Sequence, residues 1–393
     1  MKNKSTDNNL ALNKPFKPLV SIPLAIVFLL AGAVALFGFT PQSRTGDDKT
    51  EQSKSSMVKN PRSTRGKLGA PTKFEEYTFY ELPNDLDKAE IHEILFHKGA
   101  MWLGTDKGLV KIVDQEVTTY TQFSDWSFEW VRNLAVTPNG IATSVHVAHG
   151  NTGGEGANSH VFDVENETWH EIGPNVLDQE WHKGYPYQVN KDLIRRDPKE
   201  LWQDTVVVPN VCGRGASRIK MKVIENELWI VGTGSQFGGW RSSGSFGCGA
   251  TRFIPSSGKS FKYHTSDGLN HDYGWDLDGD DKGVYVSHSI RHNRLSYFDF
   301  ERERWSEPRL RGAGNRISIS SNGIWLARGS PLAPLHRIDR ETNEGRLFSK
   351  ISDNTYLSAI AINGKEVWAG AYEKRWTNST YTITSRLVMI IDE

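Results

Sequence analysis

A short phrase recurs along this chain and limits its fold more than any other feature. Each copy is a turn, then a β-rich apolar run built around one central residue, then small residues. It appears as KGAMWLGTDKGL at 98–109, NGIATSVHV at 139–147 and NELWIVGTGS at 226–235. It returns as KGVYVSHS at 282–289, NGIWLARGS at 322–330 and KEVWAGAYE at 365–373. Aligned on the central residue, the copies place Trp102, Ala142, Trp229, Tyr285, Trp325 and Trp368 at intervals of 40, 87, 56, 40 and 43 residues. Self-similarity at a near-fixed period marks a repeat architecture.

The apolar positions alternate, as in Ile317-Ser318-Ile319, so the repeating unit is made of strands rather than helices. Asn-Gly pairs at 139–140, 322–323 and 363–364 supply hairpin turns between the first and second strands. Further strand-like runs follow each phrase, giving a four-stranded meander of about 40 residues. A single meander leaves edges and a face exposed, whereas a closed ring of them buries both. The chain therefore reads as an all-β, six-bladed β-propeller over 73–393, with seven blades as the alternative. The 87-residue interval is read as an insertion at 174–215, because Trp202 lies only 27 residues before Trp229, too close for four strands. The run 74–80 is placed as the outer strand of the last blade, where it would close the ring beside the C-terminal strand 385–392.

Met101-Trp102-Leu103-Gly104-Thr105 with Gly108-Leu109 resembles the two-component-regulator propeller repeat, in which a glycine turn precedes L-W-[IV]-G-T and then G-L. Leu228-Trp229-Ile230-Val231-Gly232-Thr233 matches with one extra residue, and Val367-Trp368-Ala369-Gly370 matches in part. The resemblance covers roughly 74–393. It implies a propeller of the kind that serves as an extracytoplasmic sensor domain.

Residues 19–39 form an uncharged run of 21 residues, long enough for a helix to span about 30 Å of bilayer core. Lys2, Lys4, Lys14 and Lys17 precede it, which favours a cytoplasmic N-terminus. The reading is a cytoplasmic tail at 1–18, a transmembrane anchor or signal segment at 19–39 and a flexible linker at 40–72, with the propeller outside, periplasmic or extracellular. Across the chain 47 basic residues balance 47 acidic ones, which argues against a nucleic-acid partner. The two cysteines, Cys212 and Cys248, match no metal motif. In an oxidising compartment they are expected to bond and pin the insertion.

In a propeller, the loops between strands 2 and 3 and those between blades emerge on one face. The extra residues of this chain fall there, at 148–160, 235–248, 288–294, 329–335 and 373–381, which marks that face as a binding surface for a small molecule or protein. The candidate ligand-binding residues are His146, Trp240, Arg241, His271, His288, Arg291, His292 and Arg328. His288 and Arg328, at the end of strand 2, are expected to point into the central funnel. Arg, His and Trp together favour anionic or sugar-like ligands. An enzyme using His, Arg or Glu at the funnel and an assembly scaffold are the alternative functions. No cofactor or metal is expected: Asp276 to Asp281 lacks the twelfth-position Glu of a calcium loop and reads as a solvated turn, and 146–160 fits no metal spacing.

Overall fold

The computed structural model describes residues 62–123, 126–147, 157–197, 204–212, 216–235, 245–288, 295–308, 314–327, 335–348, 355–377 and 380–392. They form seven antiparallel sheets of four or five strands. The innermost strands are Ile91–His97, Trp126–Val136, Asp178–His182, Ala216–Ile224, Gly274–Asp280, Arg316–Ile319 and Thr355–Asn363. Each packs against the next in that order, and the seventh returns to the first. The molecule is a closed seven-bladed β-propeller.

The expected six blades are corrected to seven. The stretch read as an insertion at 174–215 is a complete blade, with strands Asp178–His182, Tyr185–Val189, Leu193–Arg196 and Asp204–Val208. Its central residue is the buried Tyr187, in the third position of strand 2 as Trp102 is in its own blade. The anchors then run 142, 187, 229, with no oversized gap. Trp202, whose spacing favoured an insertion over the alternative seventh blade, lies outside the described residues.

The aligned anchors explain why the phrase repeats. Trp102, Ala142, Trp229, Tyr285, Trp325 and Trp368 are all buried, and most serve the seam between blades. Trp102 of blade 1 packs with Phe162 and Trp169 of blade 2, and Trp229 of blade 4 packs with Phe298 and Trp305 of blade 5. Burying such a ring contributes about 2–3 kcal/mol before any ring-pair geometry is counted. A second regularity lies at the end of strand 3. Asp163, Asp299 and Asp339 face Gly140, Gly283 and Gly323 across the ladder, and each carboxylate accepts backbone N–H groups of the following turn. A Cβ on Gly140 or Gly283 would stand about 2 Å from the carbonyl oxygen of Phe162 or Phe298, so glycine is required there.

The ring is closed by the N-terminal part of the propeller. Thr78–Glu81 pairs with Thr380–Ile391 as the outer strand of blade 7. Ser63–Lys67, within the stretch expected to be linker, and Thr72–Lys73, at its end, add edge strands to blades 1 and 7. The loop expected at 373–381 is instead a long hairpin, Glu366–Thr377 with Thr380–Ile391. No helix among the described residues is long and apolar enough to cross a membrane, and the run 19–39 lies outside them.

Cys212 and Cys248 are bonded, their Cα atoms 4.9 Å apart and 36 residues apart in sequence. Cys212 follows the outer strand of blade 3, and Cys248 lies in the third strand of blade 4 (Ser245–Ile254). The bond fastens the connection between these blades inside their shared core. A crosslink closing a loop of that size stabilises by about 2–4 kcal/mol. Cys212→Ser should lower the unfolding midpoint of oxidised protein in guanidinium by a corresponding amount, while wild type pretreated with reductant shows the same loss. An unchanged midpoint would show that the bond bears no load.

Candidate functional site

The inner strands begin at the end where the inter-blade connections arrive. At that end the axial channel widens into a cavity of about 520 Å³. Its wall carries three guanidinium groups from alternate blades: Arg132 of blade 2, Arg218 of blade 4 and Arg316 of blade 6. Strand alternation puts them there. In Arg218-Ile219-Lys220-Met221-Lys222, Ile219 and Met221 enter the core shared with blade 3 while the cationic residues face the channel. Arg316-Ile317-Ser318 repeats the pattern, with Ile317 in the core between blades 5 and 6.

None of the three guanidiniums has a carboxylate within ion-pair distance among the described residues. Arg316 donates from Nε to the Ser358 carbonyl (2.9 Å) and from a terminal nitrogen to the His92 carbonyl (3.2 Å). Arg218 lies over the Trp275 ring at 4.2 Å, and Arg132 over Trp130 at 4.8 Å. Burial, the like charges of Arg316 and Arg132, and only partial relief from Asp276 and Glu90 hold Arg218 well below the ordinary arginine value. Partial desolvation and Arg316 also lower Arg132 against the pull of Glu90, although Arg132 remains exposed at the cavity wall. A guanidinium so placed stays charged near neutrality, and its neighbours leave it under-compensated. Three such groups around one cavity form an electrostatic demand for an anion.

Deeper in the channel lies a second cavity of about 480 Å³, sharing His92, Lys220 and Arg316 with the first. Its charge pattern is different. Lys220 pairs with Glu93 at 2.6 Å and Lys222 with Asp278 at 2.7 Å. Asp178 accepts the N–H of Met221 from the next blade, and Asp276 and Asp278 accept those of Ile317 and Ile319. Asp276 and Asp278 were expected in a solvated turn; they are instead buried on an inner strand, because that strand runs through to Asp280. Burial pushes Asp178 up to about 7 against the pull of Lys220, and burial with the Asp178 charge pushes Glu180 up to about 8. Burial also opposes ionisation of Glu93, but Lys220 and Arg316 outweigh it and hold that carboxyl down.

The expected site residues fall in several places. His288 is fully buried and does not point into the funnel. Its Nδ1 donates to the Tyr273 carbonyl at 3.1 Å and its Nε2 accepts from the Ser296 hydroxyl at 2.7 Å, so it ties strand 2 to its own blade. His271 is half-buried, accepts the Tyr273 N–H through Nδ1 at 3.1 Å, and stands near His288 rather than in the cavity. His146 lies on Gly140–Val147, with its side chain outside the described residues. Trp240, Arg241, Arg291, His292 and Arg328 also lie outside them. His160 is buried against Trp169, and burial pushes it down to about 4. Among the described residues no group of three His, Cys, Asp or Glu stands in metal-holding geometry. Trp130, Arg132, Arg218 and Arg316 line the cavity, and none of them was among the expected ligand-binding residues. Arg218 and Arg316 stand near the start of a first strand ahead of apolar alternation, whereas Arg132 lies in the middle of its strand and carries no such signal.

Ring closure and cavity together define this chain as a seven-bladed β-propeller with a cationic axial site. No family model matches it, and no curated protein does. Among solved structures it is similar to a polysaccharide lyase at 10% identity and TM-score 0.47, covering 83% of this chain and 100% of that one. It is similar to a prolyl endopeptidase at 10% identity and TM-score 0.49, covering 77% of this chain and 50% of that one. It is also similar to the extracellular domain of a putative one-component system from B. thetaiotaomicron at 9% identity and TM-score 0.36, covering 79% and 55%. The chain thus spans about half the length of the latter two. None of these likenesses bears on chemistry, and the fold assignment rests on strand pairing and the inner-strand ring.

The raised carboxyls predict a signed pH effect. In the unfolded chain Asp178 and Glu180 ionise near pH 4, whereas in the fold they stay protonated to about 7 and 8. Stability from this pair is therefore complete below pH 4 and drains away as pH rises toward 8. Glu180→Gln should gain stability relative to wild type steadily between pH 5 and 8 and level off above that. Paired thermal melts across this range check it; a difference independent of pH would remove the buried-carboxyl assignment.

Proposed function

We propose that this chain is a ligand-binding propeller that captures a small anionic molecule in the axial cavity at its loop-rich end. In this reading it is tethered to a membrane through 19–39, stands outside the cytoplasm and acts in a sensor-like role. The observation that carries the ligand class is the set of three guanidiniums, Arg132, Arg218 and Arg316, without carboxylate partners among the described residues. A structural ion-pair network would have supplied those partners, as it does for Lys220 and Lys222 deeper in the channel. A concave cavity of about 520 Å³ suits a small molecule better than a protein surface. The bonded cysteines suit an oxidising compartment, and the repeat resemblance supports the sensor-like role.

The test separates binding from stability. A guanidinium kept charged while partly desolvated costs stability, and its removal relieves repulsion on Arg316 and Arg132. Arg218→Met should therefore raise the melting temperature, or leave it unchanged, while weakening binding of small carboxylates roughly 10- to 100-fold, as expected for one charge-assisted hydrogen bond. Calorimetric titration of the full-length chain in detergent measures both arms. A variant that melts lower and binds as wild type would make Arg218 a structural residue and overturn the reading.

A further inference from the structure

The cavity holds one feature that an anion trap does not need: a carboxylate. Glu90 immediately precedes the inner strand of blade 1 and lines the same wall as the three guanidiniums. Its backbone N–H is fixed by Asp106 Oδ1 at 3.0 Å, which sets the residue in place. Its side chain makes no hydrogen bond or ion pair among the described residues, yet its charge acts on both Arg132 and Arg218. A glutamate free to pair with an arginine and not doing so remains a standing negative charge in the space the ligand enters.

The charges lining the cavity can be counted. Arg132, Arg218, Arg316 and Lys220 are the cations and Glu90 is the anion. Lys220 is neutralised by Glu93 at 2.6 Å, leaving a net charge of two positive. We infer that Glu90 sets the charge of the ligand, restricting the cavity to dianions such as short dicarboxylates. The inference rests on the anion-binding reading above. A monoanion leaves one guanidinium uncompensated in a partly desolvated site. A trianion places its third charge against Glu90, and like charges at close range are strongly disfavoured when desolvated. The three guanidiniums come from alternate blades, so they surround the axis instead of stacking on one side of it. That arrangement suits two separated carboxylates better than a single tetrahedral dianion. The Oδ1 of Asn315 is buried without a partner on the same wall and adds an acceptor for a ligand hydroxyl.

The experiment titrates the full-length chain in detergent with a three-carbon-backbone series of mono-, di- and tricarboxylates, and with inorganic phosphate. Wild type should bind the dicarboxylate at least tenfold more tightly than the monocarboxylate and no more weakly than the tricarboxylate, with phosphate weaker than the dicarboxylate. In Glu90→Gln the preference should move to the tricarboxylate by at least tenfold, and Glu90→Asp should keep the wild-type order. Should Glu90→Gln fail to fold, Glu90→Ala with a melting control replaces it. Binding of all carboxylates with equal affinity, or an unchanged order in Glu90→Gln, overturns the role of Glu90 and leaves the anion site standing. Phosphate as the tightest ligand also overturns the dicarboxylate assignment. Failure of every anion to bind removes the site and this inference together.

Discussion

Every blade of a propeller has an inner edge strand whose outward ladder partners are missing, and seven such edges face one another across the axis. Backbone N–H groups in that position must find acceptors, or folding carries their desolvation cost. Here the acceptors are side-chain carboxylates from the neighbouring blade. Asp178 receives Met221, Asp276 receives Ile317 and Asp278 receives Ile319. These bonds cross blade boundaries, so they hold the edges and fix the spacing of the ring at once. The need to solvate an edge thus forces ionisable groups into the middle of the molecule. Cations follow to balance them, as in the Lys220–Glu93 and Lys222–Asp278 pairs.

Against this balanced interior, the mouth of the channel stands out by its imbalance. The lower cavity pairs both of its lysines with carboxylates and raises the carboxyls left over; the upper one gathers guanidiniums that have rings and carbonyls for company but, among the described residues, no carboxylate within ion-pair distance. Lys220 and Arg316 touch both zones. An anion entering at the mouth would therefore be felt by the buried carboxyls below, since Arg316 acts on Glu93 and Asp276 as well as on its fellow arginines. Binding at the mouth and protonation deeper in the channel share one electrostatic field.

The fold was largely legible because the strand-2 anchor does a job that a sequence displays: a large ring crosses the seam to the next blade, as Trp102 and Trp229 do. Blade 3 escaped because its anchor is Tyr187 and the nearby Trp202 offered a false register. The strand-3 aspartates facing glycines at 140, 283 and 323 formed a second register that went unread. The site was much less legible. His288 sits at the expected end of strand 2, but a neutral imidazole between a carbonyl and a hydroxyl is as good a blade tie as a ligand contact. The three arginines sit on first strands, where no motif marks them, and only ring geometry makes neighbours of residues at 132, 218 and 316.

Ring closure by Thr78–Glu81 on Thr380–Ile391 also governs how the molecule comes into being. The first seam strand leaves the ribosome roughly 300 residues ahead of its partner, so at about 5–20 residues per second it waits on the order of 15–60 s. Throughout that interval the growing arc of blades has two open ends, and the ladder groups of both remain available to any strand nearby. Exposure to mispairing lasts until the C-terminal strand arrives to close the seam. In a chain that folds after export, protection by chaperones outside the cytoplasm would matter most in that interval.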